Sequence, residues 1–122
     1  MNLNLPTIPE TVTVHLGPPD SDARNVTVSF IDYITNVASN EVYPTWLSDA
    51  IQANILAIIS FTLNRIYTEY YRARGYDFDI TSSTGYDQKF SFEGPTFENV
   101  ALLVNEVFDS YIRRQGFVQP LF

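Results

Sequence analysis

The spacing of apolar and polar positions changes along the chain, and each change predicts an element. Thr11-Val12-Thr13-Val14-His15-Leu16 and Asn25-Val26-Thr27-Val28-Ser29-Phe30 alternate residue by residue, as strands do. Gly17-Pro18-Pro19-Asp20-Ser21-Asp22 between them is a turn or loop, so the two strands are expected to pair as a hairpin. Residues 1–10, with Pro6 and Pro9, read as an extended lead-in.

From Phe30 the spacing becomes helical. Phe30, Ile31, Tyr33, Ile34, Val37 and Ala38 make one apolar face of a short helix. Ser29 with Asp32 three residues on has the form of a capping box, and Asn40 is the expected end. A longer helix is expected over Leu47–Arg74, capped by Thr45 or Ser48 and stopped at Gly75. Ile51, Ile55, Leu56, Ile58, Ile59, Phe61, Leu63 and Ile66 make its middle apolar nearly all round, which predicts a buried central helix. Its tyrosines, Tyr67, Tyr70 and Tyr71, suit the edge of a core, with rings packed and hydroxyls wet. A polar, hydroxyl-rich loop follows from Tyr76 to Phe90. Its Asp77, Asp79 and Asp87 lack the spacing and the closing Glu of a calcium loop. Thr96 then caps a last amphipathic helix to about Gln115, with Phe97, Val100, Ala101, Leu103, Val104, Val107, Phe108, Tyr111 and Ile112 on one face. The predicted fold class is α+β and mainly helical: an N-terminal β-hairpin, a short helix, a long buried central helix and a C-terminal amphipathic helix.

Composition narrows what such a domain does. The 122 residues fit one domain, 1–122, and 45% hydrophobic content suits a packed core. A net charge of −7 argues against nucleic acid and anionic membrane surfaces as partners. No apolar run has the length of a membrane span, and residues 1–6 show no signal-peptide pattern. Without cysteine there is no disulfide, thiolate metal site or thiol nucleophile. One histidine cannot build a multi-histidine metal site, and His15 is expected at the surface or on an edge strand. The apolar end at Leu121-Phe122 suggests a contact with a second copy or another partner.

Glu41 is the most unusual candidate. It stands at a helix end among Val42, Tyr43, Pro44 and Trp46, whereas Glu is ordinarily surrounded by water. The negative end of the helix dipole and the apolar neighbours both disfavour the carboxylate. Two readings follow: a solvated Glu at a helix end, or a general acid that keeps its proton to higher pH.

The surrounding motifs bear on that choice. Asp32-Tyr33-Ile34, Val37, Glu41-Val42 with Pro44 and Trp46, and Ala50-Ile51-Gln52-Ala53-Asn54-Ile55-Leu56-Ala57 follow one another at a distinctive spacing. This resembles the stage II sporulation protein D / LytB domain. That family runs Asp-Tyr-Leu, a Val-Val pair, a Glu-Met-Pro segment near a Trp, and an Ala-Leu-x-Ala-Gln-Ala helix. The loop Asp79-Ile80-Thr81-Ser82-Ser83-Thr84, through Gln88 and Phe90, resembles the family's next motif. The match covers residues 26–122, the front part of such a domain. The family's later Gly-Met-Ser-Gln-x-Gly-Ala segment and final helix are not in this sequence, and Ile59 stands where the family usually has Arg.

The resemblance implies lytic transglycosylase action on the glycan strands of peptidoglycan, with Glu41 as catalytic acid and base. Tyr43, Trp46, Asp79, Ser82, Ser83, Thr84 and Gln88 are the implied substrate contacts. It requires no cofactor or metal, and it implies a place at the cell envelope or facing the forespore. The alternative is a non-catalytic cell-wall or spore-associated module that retains the fold.

Overall fold

The computed structural model describes residues 8–113, with side chains through residue 110. Strands β1 (Thr11–His15) and β2 (Asn25–Ser29) pair antiparallel, with Val12 opposite Val28 and Val14 opposite Val26. A short third strand, β3 (Ile80–Thr81), pairs parallel to β1 on its other side, so the sheet order is β2-β1-β3. Three helices complete an α+β fold: α1 (Phe30–Glu41), α2 (Ser48–Tyr67) and α3 (Glu98–Arg113). Val12 and Val14 of the central strand pack with Tyr33, Ile34 and Val37 of α1, Ile51, Ile55, Ile59 and Leu63 of α2, and Val100, Val104 and Phe108 of α3 in one core.

The start of α1 follows the sequence expectation. Ser29 is the N-cap, and its hydroxyl accepts the Asp32 backbone N–H at 3.0 Å. The helix runs one residue past Asn40, and the chain becomes extended at Val42.

Helix α2 differs from expectation at both ends. Leu47, without a side-chain cap bond, is its N-cap in place of Thr45 or Ser48. It stops at Tyr67, seven residues before Arg74, because Glu69 takes a left-handed backbone conformation (φ 52°). The Tyr70 N–H then bonds to the Arg65 carbonyl and the Glu69 N–H to the Ile66 carbonyl, both at 3.1 Å. This is the Schellman closure usually built on glycine, here carried by a glutamate. Gly75, the expected stop, instead ends the 3-10 turn Arg72–Arg74. Burial along α2 is one-sided: Ile51, Ile55, Ile58, Ile59 and Leu63 face the core, while Ala53 and Ala57 are exposed.

His15 also departs from its expected surface or edge position. It ends the central strand and is 6% exposed. Its ring stacks on Phe78 with centroids 4.4 Å apart, Nδ1 shares a hydrogen bond with Asn25 Oδ1 at 2.7 Å, and Nε2 lies 3.2 Å from the Ser21 carbonyl. Helix α3 starts two residues after Thr96, with the Phe97 carbonyl accepting the Ala101 N–H. The expected helix end at Gln115 and the apolar contact at Leu121-Phe122 lie outside the described residues, as do residues 1–7 of the lead-in. No described helix is long and apolar enough to cross a membrane.

Candidate functional site

Glu41 is the last residue of α1, and its side chain is exposed. Part of its solvent is nevertheless displaced, and that burial holds its carboxyl above the ordinary carboxylate range. Among the described residues, no hydrogen bond fixes this carboxyl. Immediately beyond it the chain makes a tight turn, closed by the Trp46 N–H on the Tyr43 carbonyl at 3.0 Å. The Asn99 side chain ties this turn to α3 by donating to the Pro44 carbonyl at 2.9 Å. The turn presents apolar surface to water: Tyr43 is 70% exposed, Trp46 41% and Leu47 80%. The two rings meet edge to face, with centroids 6.3 Å apart. In the chain, Glu41 precedes the two rings of this exposed aromatic pair by two and five residues.

The loop residues fall into two groups. Asp79 and Gln88 are bound internally. Asp79 accepts the Thr13 backbone N–H and the Arg72 guanidinium, each at 2.9 Å, and so fastens the loop to the sheet. Gln88 is 8% exposed and donates through Nε2 to the Tyr33 hydroxyl at 3.1 Å and to Thr62 Oγ1 at 3.0 Å. Ser82, Ser83 and Thr84 remain at the surface or half-buried. Ser82 continues the pairing of β3 with β1 by bonding to the His15 carbonyl at 2.9 Å.

Between these groups lies a polar centre that sequence reasoning missed. The Asp87 carboxylate, completely buried, accepts Arg65 Nε at 2.7 Å, the Tyr71 hydroxyl at 2.6 Å, and both the hydroxyl and the N–H of Thr81, at 2.6 and 3.0 Å. Arg65 also donates to the Tyr86 carbonyl at 3.2 Å, and its guanidinium lies over the Tyr70 ring, 3.9 Å from the centre. Burial, and then the bond to Asp87, push the Tyr71 hydroxyl well above its ordinary value; burial does the same to Tyr33. The local signal was slight, an Asp beside Gln88 in a polar loop.

The structure joins the far side of this loop to the helix that carries Glu41. Asn36 of α1 exchanges two bonds with the Ser91 backbone, at 2.7 and 2.9 Å, and Asn40 reaches the Lys89 carbonyl at 3.4 Å. Tyr33 stacks on Phe90 with centroids 5.3 Å apart, and both the Glu41 and the Asp87 charges act on its hydroxyl. Ser82, Ser83 and Thr84 are not brought to the Tyr43–Trp46 turn. Asp87 and Thr81 anchor their end of the loop to Arg65, near the C-terminus of α2, whereas Trp46 precedes its N-terminus. The separation along the helix, from Ser48 to Arg65, is about 25 Å.

Among the described residues, no three His, Asp or Glu side chains are grouped to hold a metal ion. Compared with family models, characterised proteins and solved structures, the chain gives no match. The resemblance to the stage II sporulation protein D / LytB domain therefore rests on motif order in the sequence.

Proposed function

We propose that this chain acts on peptidoglycan glycan strands as a lytic transglycosylase-type domain, with Glu41 as general acid and then base. The observation that carries this reading is the Glu41 carboxyl, raised by partial burial, two residues before the exposed Tyr43–Trp46 pair in the chain. A hydrolase of the usual kind needs two carboxylates flanking the scissile bond. A transglycosylase needs one. The Glu41 proton goes to the glycosidic oxygen as the C1–O bond breaks and its electrons pass to that oxygen. The sugar's own primary hydroxyl then bonds to C1, and its proton returns to the Glu41 carboxylate. The group must start protonated, which the raised carboxyl favours.

In this reading Tyr43 and Trp46 stack sugar at the reacting end, and Ser82, Ser83 and Thr84 contact a more distant part of the same polymer. Asp79 and Gln88 hold the loop in place. The test is incubation with peptide-free glycan strands. Anhydro sugar ends are expected, and Glu41→Gln should slow their release by about 10²–10⁴-fold, the usual worth of a general acid. Product that survives this substitution undiminished would overturn the role of Glu41.

A second reading is a glycan-binding module without turnover. What favours it is the absence, among the described residues, of any hydrogen bond orienting the Glu41 carboxyl, since catalytic groups are normally held by their neighbours. Strand binding through Trp46, with no anhydro product at any pH, would select it.

A further inference from the structure

Helix α2 carries a second row of residues beside the one that faces the core. Leu47, Ala50, Asn54, Ala57, Phe61 and Asn64 follow one another at alternating three- and four-residue steps, the spacing of a seam between two helices. None of them belongs to the buried row Ile51, Ile55, Ile58 and Ile59. Leu47, Ala50 and Ala57 are exposed, and Asn54, Phe61 and Asn64 are half-buried. In the middle of this row, Asn54 Oδ1 is the one buried side-chain polar atom among the described residues that has no hydrogen-bond partner. We propose that α2 pairs in parallel with α2 of a second copy of this chain, with the two Asn54 amides bonded to each other across the two-fold axis.

The unpaired amide identifies the occupant. A buried acceptor without a donor destabilises the fold, and native structures hold few of them. An amide offers an acceptor and a donor group at one site. A second Asn54 therefore supplies what the first lacks and takes what it offers. Rotation about χ2, a broad torsion in Asn, brings Oδ1 round toward the seam. A single Asn at this kind of seam position fixes the register and the number of helices that pair. Ala50 and Ala57, about one turn to either side of Asn54, let two helix backbones approach closely.

Charge points the same way. A chain of net charge −7 repels its own copies, so a contact between them must lie where charge is absent. The six seam positions hold no charged side chain, and neither does exposed Ala53 beside them. Leu47 is the most exposed of the large apolar residues described, and it stands at the open end of the seam, where pairing takes it out of water. The pairing does not depend on the activity proposed for Glu41.

The test exploits a chain without cysteine. Ala50→Cys puts one thiol opposite its counterpart in parallel pairing and should give a disulfide-linked dimer under mild oxidation. In antiparallel pairing centred between Asn54 and Ala57 the same two thiols stand about 16 Å apart along the axis, too far for a disulfide. Ala73→Cys, exposed in the turn after α2, is the control and should stay monomeric under the same conditions. Sedimentation of the natural chain up to about 1 mM should show a monomer–dimer equilibrium. The Asn54 side-chain amide signals in NMR should move on dilution through it. Ala57→Glu sets two like charges in the seam and should weaken the dimer about a hundredfold or more. The dilute variant should keep its melting temperature, because the position is exposed in the single chain. A natural chain that stays monomeric up to that concentration, Ala50→Cys that cross-links no faster than Ala73→Cys, or Asn54 amide signals that ignore concentration would overturn the proposal. Undiminished dimerisation of Ala57→Glu would do the same.

Discussion

The Asp87 centre and the Glu41–Trp46 turn are opposite solutions for a carboxyl group. The Asp87 side chain is fully buried and meets four protein donors, whereas Glu41 is exposed, partly desolvated and without a hydrogen-bond partner among the described residues. The first arrangement ties the acid into the fold, and the second leaves it available to a ligand. The polar residues nearest the hydroxyl-rich loop are therefore its framework, and the reactive candidate stands where the framework ends. Asp87→Ala tests this most severely. It would leave Arg65 without its counter-ion and the Tyr71 and Thr81 donors without their acceptor. Breaking a buried pair in this way costs about 3–5 kcal/mol, read as a fall in the urea midpoint. A loss below about 1 kcal/mol would show that water replaces Asp87 easily and would dissolve the contrast.

Gln88 gives the next largest effect and decides whether it belongs with Asp87 or with Glu41. Gln88→Leu would remove the donor shared by the Tyr33 hydroxyl and Thr62 Oγ1 in the interior between α1 and α2. About 1–3 kcal/mol of stability should go with it, the penalty for leaving buried polar groups unpaired. Glycan binding per folded molecule should hold, because the amide is 8% exposed. A variant that keeps its stability and loses binding would move Gln88 into the ligand site.

Local period made the hairpin, the Ser29 cap and the buried positions Val100, Val104, Val107 and Phe108 of α3 legible, since each depends on residues within a turn or two of one another. The end of α2 was not legible. Helical pattern continues past Tyr67, and the residue that breaks it is Glu69, which carries none of glycine's left-handed preference. That break matters, because it turns the chain back so that Tyr71 reaches Asp87. The burial of His15 depends on β3 arriving from more than sixty residues away to make β1 central. Asp87 is similar: in sequence it is one polar residue in a polar loop, and only Arg65 and Tyr71 make it a centre. Glu41 was visible early because its signal is local, a carboxyl at a helix end among large apolar residues. The separation of Ser82, Ser83 and Thr84 from Trp46 was invisible, because motif order carries no distance.

The smallest expected effect bears most directly on the open side of the comparison. Burial raises the folded-state Glu41 carboxyl above its ordinary value of 4.5. The folded chain therefore holds this proton more tightly than the unfolded chain does. The corresponding stability is fully present below about pH 4.5, is lost as pH rises through the folded-state value, and stays lost above it. Glu41→Gln cannot ionise and escapes the loss. Relative to the natural chain it should gain stability between acid and neutral pH, by no more than about 0.5 kcal/mol, the ordinary span for an exposed position. The measurement is paired denaturation of the two chains across that range. A Gln variant that is instead less stable at neutral pH would mean that a partner engages the carboxylate and that Glu41, like Asp87, belongs to the framework. A gain of the expected sign, together with loss of anhydro product, would mean that Glu41 is held at a cost to the fold and used for chemistry.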